Sequence, residues 1–299
     1  MDLFSISQLA QFSGIKPHTI RMWEQRYNAL KPDRSEGNTR YYDNVQLRRL
    51  LNIVSLQQQR YKVSELCAMS DKQIYKLIGD LPDNTDNNKA DDYFISQLIA
   101  AGMSYDEIHF EKTFSHCLLK YGMKEAYTKV IYPMLVRLGL LWTKDSIPPA
   151  QEHYISNLLR QKFFTAIDAL PPAKSGSDCW LLYLPENEFH EIGLLHAFYL
   201  IRLSGSKAIY LGANLPVDSL NEAVDQFSPE HLLLFLVHNN LPRDTEDYLN
   251  EIARRFTSKK IFVACQHKII TQVKTPKNVQ WLASVADLEQ QLASNSVIN

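Results

Sequence analysis

The stretch Cys179-Trp180-Leu181-Leu182-Tyr183-Leu184-Pro185-Glu186-Asn187-Glu188-Phe189-His190-Glu191-Ile192-Gly193 decides how the C-terminal half is read. Its first six residues form a continuous apolar run closed by Pro185, the pattern of a strand buried on both faces. Leu194 to Leu203 then read as a helix that stops at Ser204-Gly205. A histidine on such a strand-to-helix loop lies at the carboxyl end of a strand, where open α/β sheets bind ligands. Its imidazole can bind a metal through one nitrogen while an acid two residues earlier, here Glu188, holds the other N–H. Gly193 lets the backbone approach a bulky ligand closely. The alternative for His190 is a loop histidine that caps the helix.

Working outward, residues 177–299 alternate apolar strand-like runs with helical patterns. The runs are Trp180–Leu184, Ala208–Leu211, Leu232–Val237, Ile261–Ala264 and Val279–Trp281; helices are expected near 191–203, 217–226, 243–257 and 285–293. That alternation predicts a Rossmann-like, doubly wound parallel sheet. A nucleotide-binding domain is the rival, but no Gly-x-Gly-x-x-Gly or Walker loop is present.

Glu188-x-His190-x-x-Gly193 resembles the acid-x-His-x-x-Gly signature of cobalamin-binding domains, and Tyr210-Leu211-Gly212-Ala213-Asn214-Leu215-Pro216 fits their second strand and loop. The resemblance implies that His190 is the lower axial ligand of cobalt, with Glu188 behind it. Two positions depart from that family. Its Ser-x-Leu after the third strand is replaced by Phe235-Leu236-Val237-His238-Asn239-Asn240, and its Gly-Gly after the fourth by Val263-Ala264-Cys265-Gln266-His267. Side chains at Ala264 and Cys265 add volume where a nucleotide tail would pass, and overpacking costs on the order of 1–3 kcal/mol.

Upstream, residues 93–172 carry helical periodicity broken near Gly102, Gly122-Met123 and Gly139, which predicts helices at about 92–101, 105–121, 123–139 and 148–169, a four-helix bundle. Trp142 lies before the pair Glu152-His153, which falls in the first turns of the last helix. Here the chain resembles the helical cap of the CarH/CarA/LitR group of light-responsive repressors, which bind adenosylcobalamin. The resemblance implies that Trp142 covers the upper corrin face and that Glu152 and His153 approach the adenosyl group. An aromatic face over an apolar ligand is sound packing; the alternative is a core tryptophan and an acidic first turn favoured by the helix dipole. Members of that group carry a histidine directly after the tryptophan, where this chain has Thr143, a poor cobalt ligand.

Residues 79–92 are polar and turn-rich and are read as a linker. Before them, residues 1–78 begin with a helix at Ser5–Gly14, with Ser5 as cap and Gly14 as stop, and a second from Lys16 to Tyr27 with Pro17 in its first turn. Two short helices about a glycine turn make a helix-turn-helix. Lys31 to Tyr42 follows as a basic hairpin turning near Gly37-Asn38, then a helix from Asn44. Thr19-Ile20-Arg21-Met22-Trp23-Glu24-Gln25-Arg26-Tyr27, Pro32-x-Arg34 and Arg40-Tyr41-Tyr42 resemble the MerR-family winged helix-turn-helix. Lys16, His18, Thr19 and Arg21 are side chains of the second helix able to reach base edges or phosphates. The resemblance adds Tyr27 from the helix and Arg34, Arg40 and Tyr41 from the wing as DNA contacts; Trp23 and Tyr42 read as core aromatics.

Charge agrees with that division. Of 299 residues, the first 80 hold twelve Lys/Arg against eight Asp/Glu, and the remainder twenty against twenty-five, a basic head on an acidic body. A charged fraction of 22% and a hydrophobic fraction of 45% are those of a globular protein, and no window approaches a membrane span. The start Met1-Asp2-Leu3-Phe4 has no signal-like pattern, and Cys67, Cys117, Cys179 and Cys265 form no Cys-x-x-Cys pair, so a cytoplasmic protein with reduced cysteines is expected. The expected function is regulation of transcription at promoter DNA by a dimer or tetramer under corrinoid control, with adenosylcobalamin as cofactor and no catalysis. Two other readings stand beside it: a sensor half that has lost cobalamin and serves oligomerisation or another small ligand, and a corrinoid methyltransferase component.

Overall fold

The computed structural model describes residues 3–35, 37–58, 61–79, 87–142, 149–237 and 245–296. The chain divides into two compact units, Met1–Ile155 and Ser156–Asn299.

In the first unit, helix α1 (Ile6–Ser13) is closed by its own sequence. Ser5 Oγ accepts from the Gln8 N–H, Gln8 Oε1 accepts from the Ser5 N–H at 2.6 Å, and Gly14 turns left-handed at φ 71°. Pro17 opens α2 (Pro17–Tyr27), whose Trp23 is buried. Strands β1 (Asp33–Arg34) and β2 (Arg40–Tyr41) form the antiparallel wing, and Phe4 bridges the adjoining Tyr42. The turn falls where Gly37-Asn38 predicts it, with Asn38 at φ 59°.

Helix α3 (Asn44–Gln58) is buried at every residue from Leu50 to Leu56. A helix buried all round needs partners on every side. They are α1, α4 (Val63–Ala68), α5 (Asp71–Gly79) and α6 (Asn87–Met103). Two polar side chains of α3 have specific tasks. The Arg49 guanidinium donates to the Ala29, Cys67 and Met69 carbonyls at 2.9–3.0 Å and pairs with Asp71 at 2.5 Å, closing the ends of α2 and α4. Asn52 accepts from the Gln97 amide of α6 at 2.8 Å inside the core, and Gln97 bonds His109 at 2.8 Å. Helix α6, expected in the bundle, packs on α3 of the head within the first unit.

Helix α7 (Glu107–Ala126), capped by Asp106, is interrupted at Gly122 (φ 67°, ψ 168°), where a break is expected. A π-helical turn at Tyr127–Ile131 leads into α8 (Tyr132–Trp142), and α9 runs from Pro149 to Asp168. The other two breaks fall just past the expected glycines: α6 runs through Gly102 and ends at Met103, and α8 runs through Gly139 and ends at Trp142. Gly102 marks close packing, since a Cβ there would lie inside van der Waals contact with Ile155.

The second unit is the doubly wound sheet. Strands β3 (Cys179–Pro185), β4 (Lys207–Leu215), β5 (His231–Leu236), β6 (Lys260–Cys265) and β7 (Val279–Leu282) are all parallel in the order β4-β3-β5-β6-β7. They alternate with α10 (Glu191–Leu203), α11 (Val217–Phe227), α12 (Thr245–Arg255), the short α13 (His267–Ile270) and α14 (Val285–Ser296). Leu181 and Tyr183 face α11 and α12, whereas Trp180, Leu182 and Leu184 face α10 and α14. Burial on both faces explains the unbroken apolar run in β3; each buried leucine contributes roughly 1.5–3 kcal/mol. Strand β4 extends to Leu215, four residues past its expected end, because Gly212 (φ 78°) introduces a register shift against β3 and pairing then resumes. Chain order reverses at β3, which puts the β3–α10 and β5–α12 connections side by side at the carboxyl edge, the switch point where such sheets bind ligands.

Candidate functional site

Glu188 lies fully buried in the β3–α10 loop, an arrangement that requires its charge to be matched by donors. Its Oε1 accepts from the N–H groups of Phe189 (2.9 Å) and His190 (3.0 Å) and stands 2.6 Å from His190 Nδ1. Its Oε2 accepts from the Val237 N–H at 2.9 Å, where β5 ends. One carboxylate therefore holds both connections of the switch point and the imidazole between them. Donation from Nδ1 sets the tautomer with its lone pair on Nε2, the form that ligates a metal. His190 is 46% exposed at its side chain, and it is the residue at the helix cap without making a side-chain cap bond. The capping alternative is thus not the arrangement found. Gly193 is half-buried in the first turn of α10.

Beyond His190, Glu191 pairs through Oε2 with Arg160 of α9 and through Oε1 with the Tyr210 hydroxyl at 2.9 Å. Arg160 lies 31 residues before Glu191 and Tyr210 lies 19 after it, on three different elements, and no motif spacing announces them. Ala264 and Cys265 are half-buried within β6, pairing with Phe235 and Leu236. The Cys265 carbonyl accepts from Trp281 Nε1 at 3.1 Å, and burial pushes its thiol up to about 11, so this cysteine is a packing residue rather than a nucleophile. His238, Asn239 and Asn240 lie outside the described residues.

Trp142 closes α8 with its side chain outside the described residues, as is Thr143 entirely. Glu152 stands in the first turn of α9 and pairs at 3.0 Å with the following His153, which is 73% exposed.

On the head, Lys16, His18, Arg21, Tyr27 and Arg34 are exposed, and Thr19, Arg40 and Tyr41 are half-buried. Thr19 Oγ1 lies 3.3 Å from His18 Nε2. Arg34 and Asn38 close the wing turn at 2.5 Å. Arg40 is engaged within the domain: its Nε donates to Glu24 at 2.9 Å, and the Tyr42 hydroxyl donates to the other Glu24 oxygen at 3.0 Å. With the pair only 22% and 11% exposed, Arg40 locks the wing to α2. Arg26, inside the Thr19–Tyr27 motif but not among its expected DNA contacts, is exposed in the last turn of α2.

These features define a class: a helix-turn-helix head on a chain whose C-terminal sheet presents an acid-held histidine at its switch point. Comparison with known proteins specifies it. Residues 4–72 match the model of the MerR HTH family regulatory protein, and residues 94–166 match that of a B12 binding domain. The first match falls on the helix-turn-helix head and the second on the helices from α6 to α9. It is similar to the HTH-type transcriptional repressor CarH of Myxococcus xanthus, 25% identical over 83% of this chain and 84% of the relative. It is also similar to the HTH-type transcriptional repressor CarA of the same organism, 28% identical over 83% of this chain and 82% of the relative. In fold it resembles the monomethylamine corrinoid protein of Methanosarcina barkeri, with a TM-score of 0.52 at 15% identity over 68% of this chain and 98% of that one. Among the described residues, no helix is long and apolar enough to cross a membrane.

Proposed function

We propose that this protein is a DNA-binding transcription regulator, a cytoplasmic repressor without catalytic activity, whose assembly and DNA binding are set by a bound corrinoid. The observation that carries the reading is the Glu188–His190 pair, buried acid against half-exposed imidazole at 2.6 Å, in a chain that also bears a MerR-type head. A donor set of one neutral imidazole backed by a carboxylate fits a cobalt already held by a macrocycle, which needs a single protein ligand. Bound there, a corrinoid would supply a cobalt that can exchange a ligand. His190 is assigned as the lower ligand, Glu188 as its orienting partner and Gly193 as the close backbone approach. Trp142, Glu152 and His153 are assigned to the upper side, and adenosylcobalamin is the proposed form. A ligand that favours one assembly stabilises it by mass action, and assembly decides whether paired heads match operator half-sites. Lys16, His18, Thr19, Arg21, Tyr27, Arg34 and Tyr41 are assigned to promoter DNA, and Arg40 to the wing that presents them.

The methyltransferase-component reading is less well supported, because the relatives similar over most of the chain are repressors. Protein mixed with adenosylcobalamin in the dark, desalted, illuminated and passed through a sizing column tests the proposal. Retained corrin absorbance with a change of size on illumination is expected. Complete loss of corrin on desalting would leave a regulator that answers to another ligand.

A further inference from the structure

The loop that carries His190 is held from both sides by β4. Before the histidine, the Asn187 N–H donates to Asn214 Oδ1 at 2.8 Å and the Asn214 N–H to the Glu188 carbonyl at 3.1 Å. After it, Glu191 is gripped between the Tyr210 hydroxyl and the Arg160 guanidinium. Tyr210 is itself fixed in direction: Phe198 stacks on it at 5.3 Å with an interplanar angle of 12°, and Phe164 meets it edge-on at 6.1 Å. Gly212 suits this bend of β4 because its φ of 78° disfavours any side chain, and a Cβ there would only touch Glu191 Oε1 at 3.4 Å.

With Arg160 36% and Glu191 15% exposed, the ion pair adds little to overall stability by the standard of surface pairs. Its position matters more, since Glu191 is covalently next to the imidazole and begins α10. A carboxylate two residues before His190 orients the ring, but only the backbone frame decides where that ring stands. We infer that Arg160 and Tyr210 are positioning residues that act through Glu191 to hold His190 in register with Glu188. The inference rests on the reading of His190 as a cobalt ligand for its functional meaning, although the clamp can be tested without a corrinoid.

The test uses the full chain with histidine labelled by nitrogen-15, and reads the exchange with water of the His190 Nδ1–H, assigned by H190Q. Breaking one such bond is expected to speed that exchange by about fivefold or more in Tyr210→Phe, Glu191→Ala and Arg160→Ala, with Arg160→Lys retaining most of the protection. Tyr210→Phe removes one oxygen and keeps the aromatic stack, so it decides the matter if Glu191→Ala fails to fold. In parallel, release of hydroxocobalamin from each loaded protein is expected to accelerate by a similar factor. Unchanged exchange in all three variants overturns the inference, even if release is faster, and so does a wild-type Nδ1–H already exchanging too fast to observe. If wild-type protein holds no hydroxocobalamin, the corrinoid reading fails while proton exchange still judges the clamp. If it holds hydroxocobalamin and the variants match it in both measurements, the clamp fails and the corrinoid reading stands.

Discussion

Glu188 is the most constrained side chain of the switch point, because four donors converge on a carboxylate with no exposure. Truncation to alanine leaves three backbone N–H groups without their acceptor, and each such group costs about 1–3 kcal/mol. The Glu188→Ala variant should therefore lose about 3 kcal/mol or more in a denaturant titration, while His190→Ala, which removes a half-exposed ring, should lose much less. If the two lose equal stability, the carboxylate is not the organising group. On the head, Arg34 and Arg40 separate by the same logic. Arg34→Ala should weaken promoter binding and lower the slope of log affinity against log salt by about one, with unchanged thermal stability. Arg40→Ala removes the guanidinium that faces the half-buried Glu24 carboxylate, so stability and DNA affinity should fall together, and a thermal melt alongside an anisotropy titration distinguishes the two outcomes.

Among the elements, α6 is where packing and sequence preference disagree. Gly102 costs about 1 kcal/mol of helix propensity relative to alanine, yet Gly102→Ala should destabilise the protein by about 1–3 kcal/mol through overpacking against Ile155. Adding Ile155→Ala should recover part of that loss, and strictly additive effects in the double variant would refute the contact. Strand β5 and helix α7 contribute a pH response. Burial is the main cause that holds His231 and His109 below their ordinary 6.5, against the opposing pull of Asp178 and Asp106. Each is neutral in the fold and takes up its proton more readily when unfolded, so stability is intact above 6.5 and declines as pH falls from there toward the lowered value. Denaturation midpoints at pH 7.5 and 5.5 should differ in that direction, and His231→Gln should reduce the difference; an unchanged difference would remove His231 as a contributor.

For the whole molecule, uneven charge and a two-part architecture set the behaviour. The first 80 residues carry a net of +4 against −5 for the remainder, so binding to promoter DNA should be strongly salt-dependent despite an overall charge of −1. A complex whose affinity does not change between 50 and 200 mM salt would contradict the assignment of the head's exposed cations to phosphates. Local pattern sufficed for a large part of this organisation: caps at Ser5 and Gly14, Pro17 opening α2, the apolar run of β3 and the spacing from Glu188 to Gly193 act within one or two turns of chain. Such features are legible because the interacting groups are close in sequence. The Glu188–Val237 bond, the Asn52–Gln97 pair, the fourfold engagement of Arg49 and the Arg160–Glu191–Tyr210 clamp join segments eighteen to forty-nine residues apart. Periodicity places each of those residues on an element but says nothing of its partner, since the energy of a buried polar group is settled by whichever donor or acceptor the packed chain brings within 3 Å.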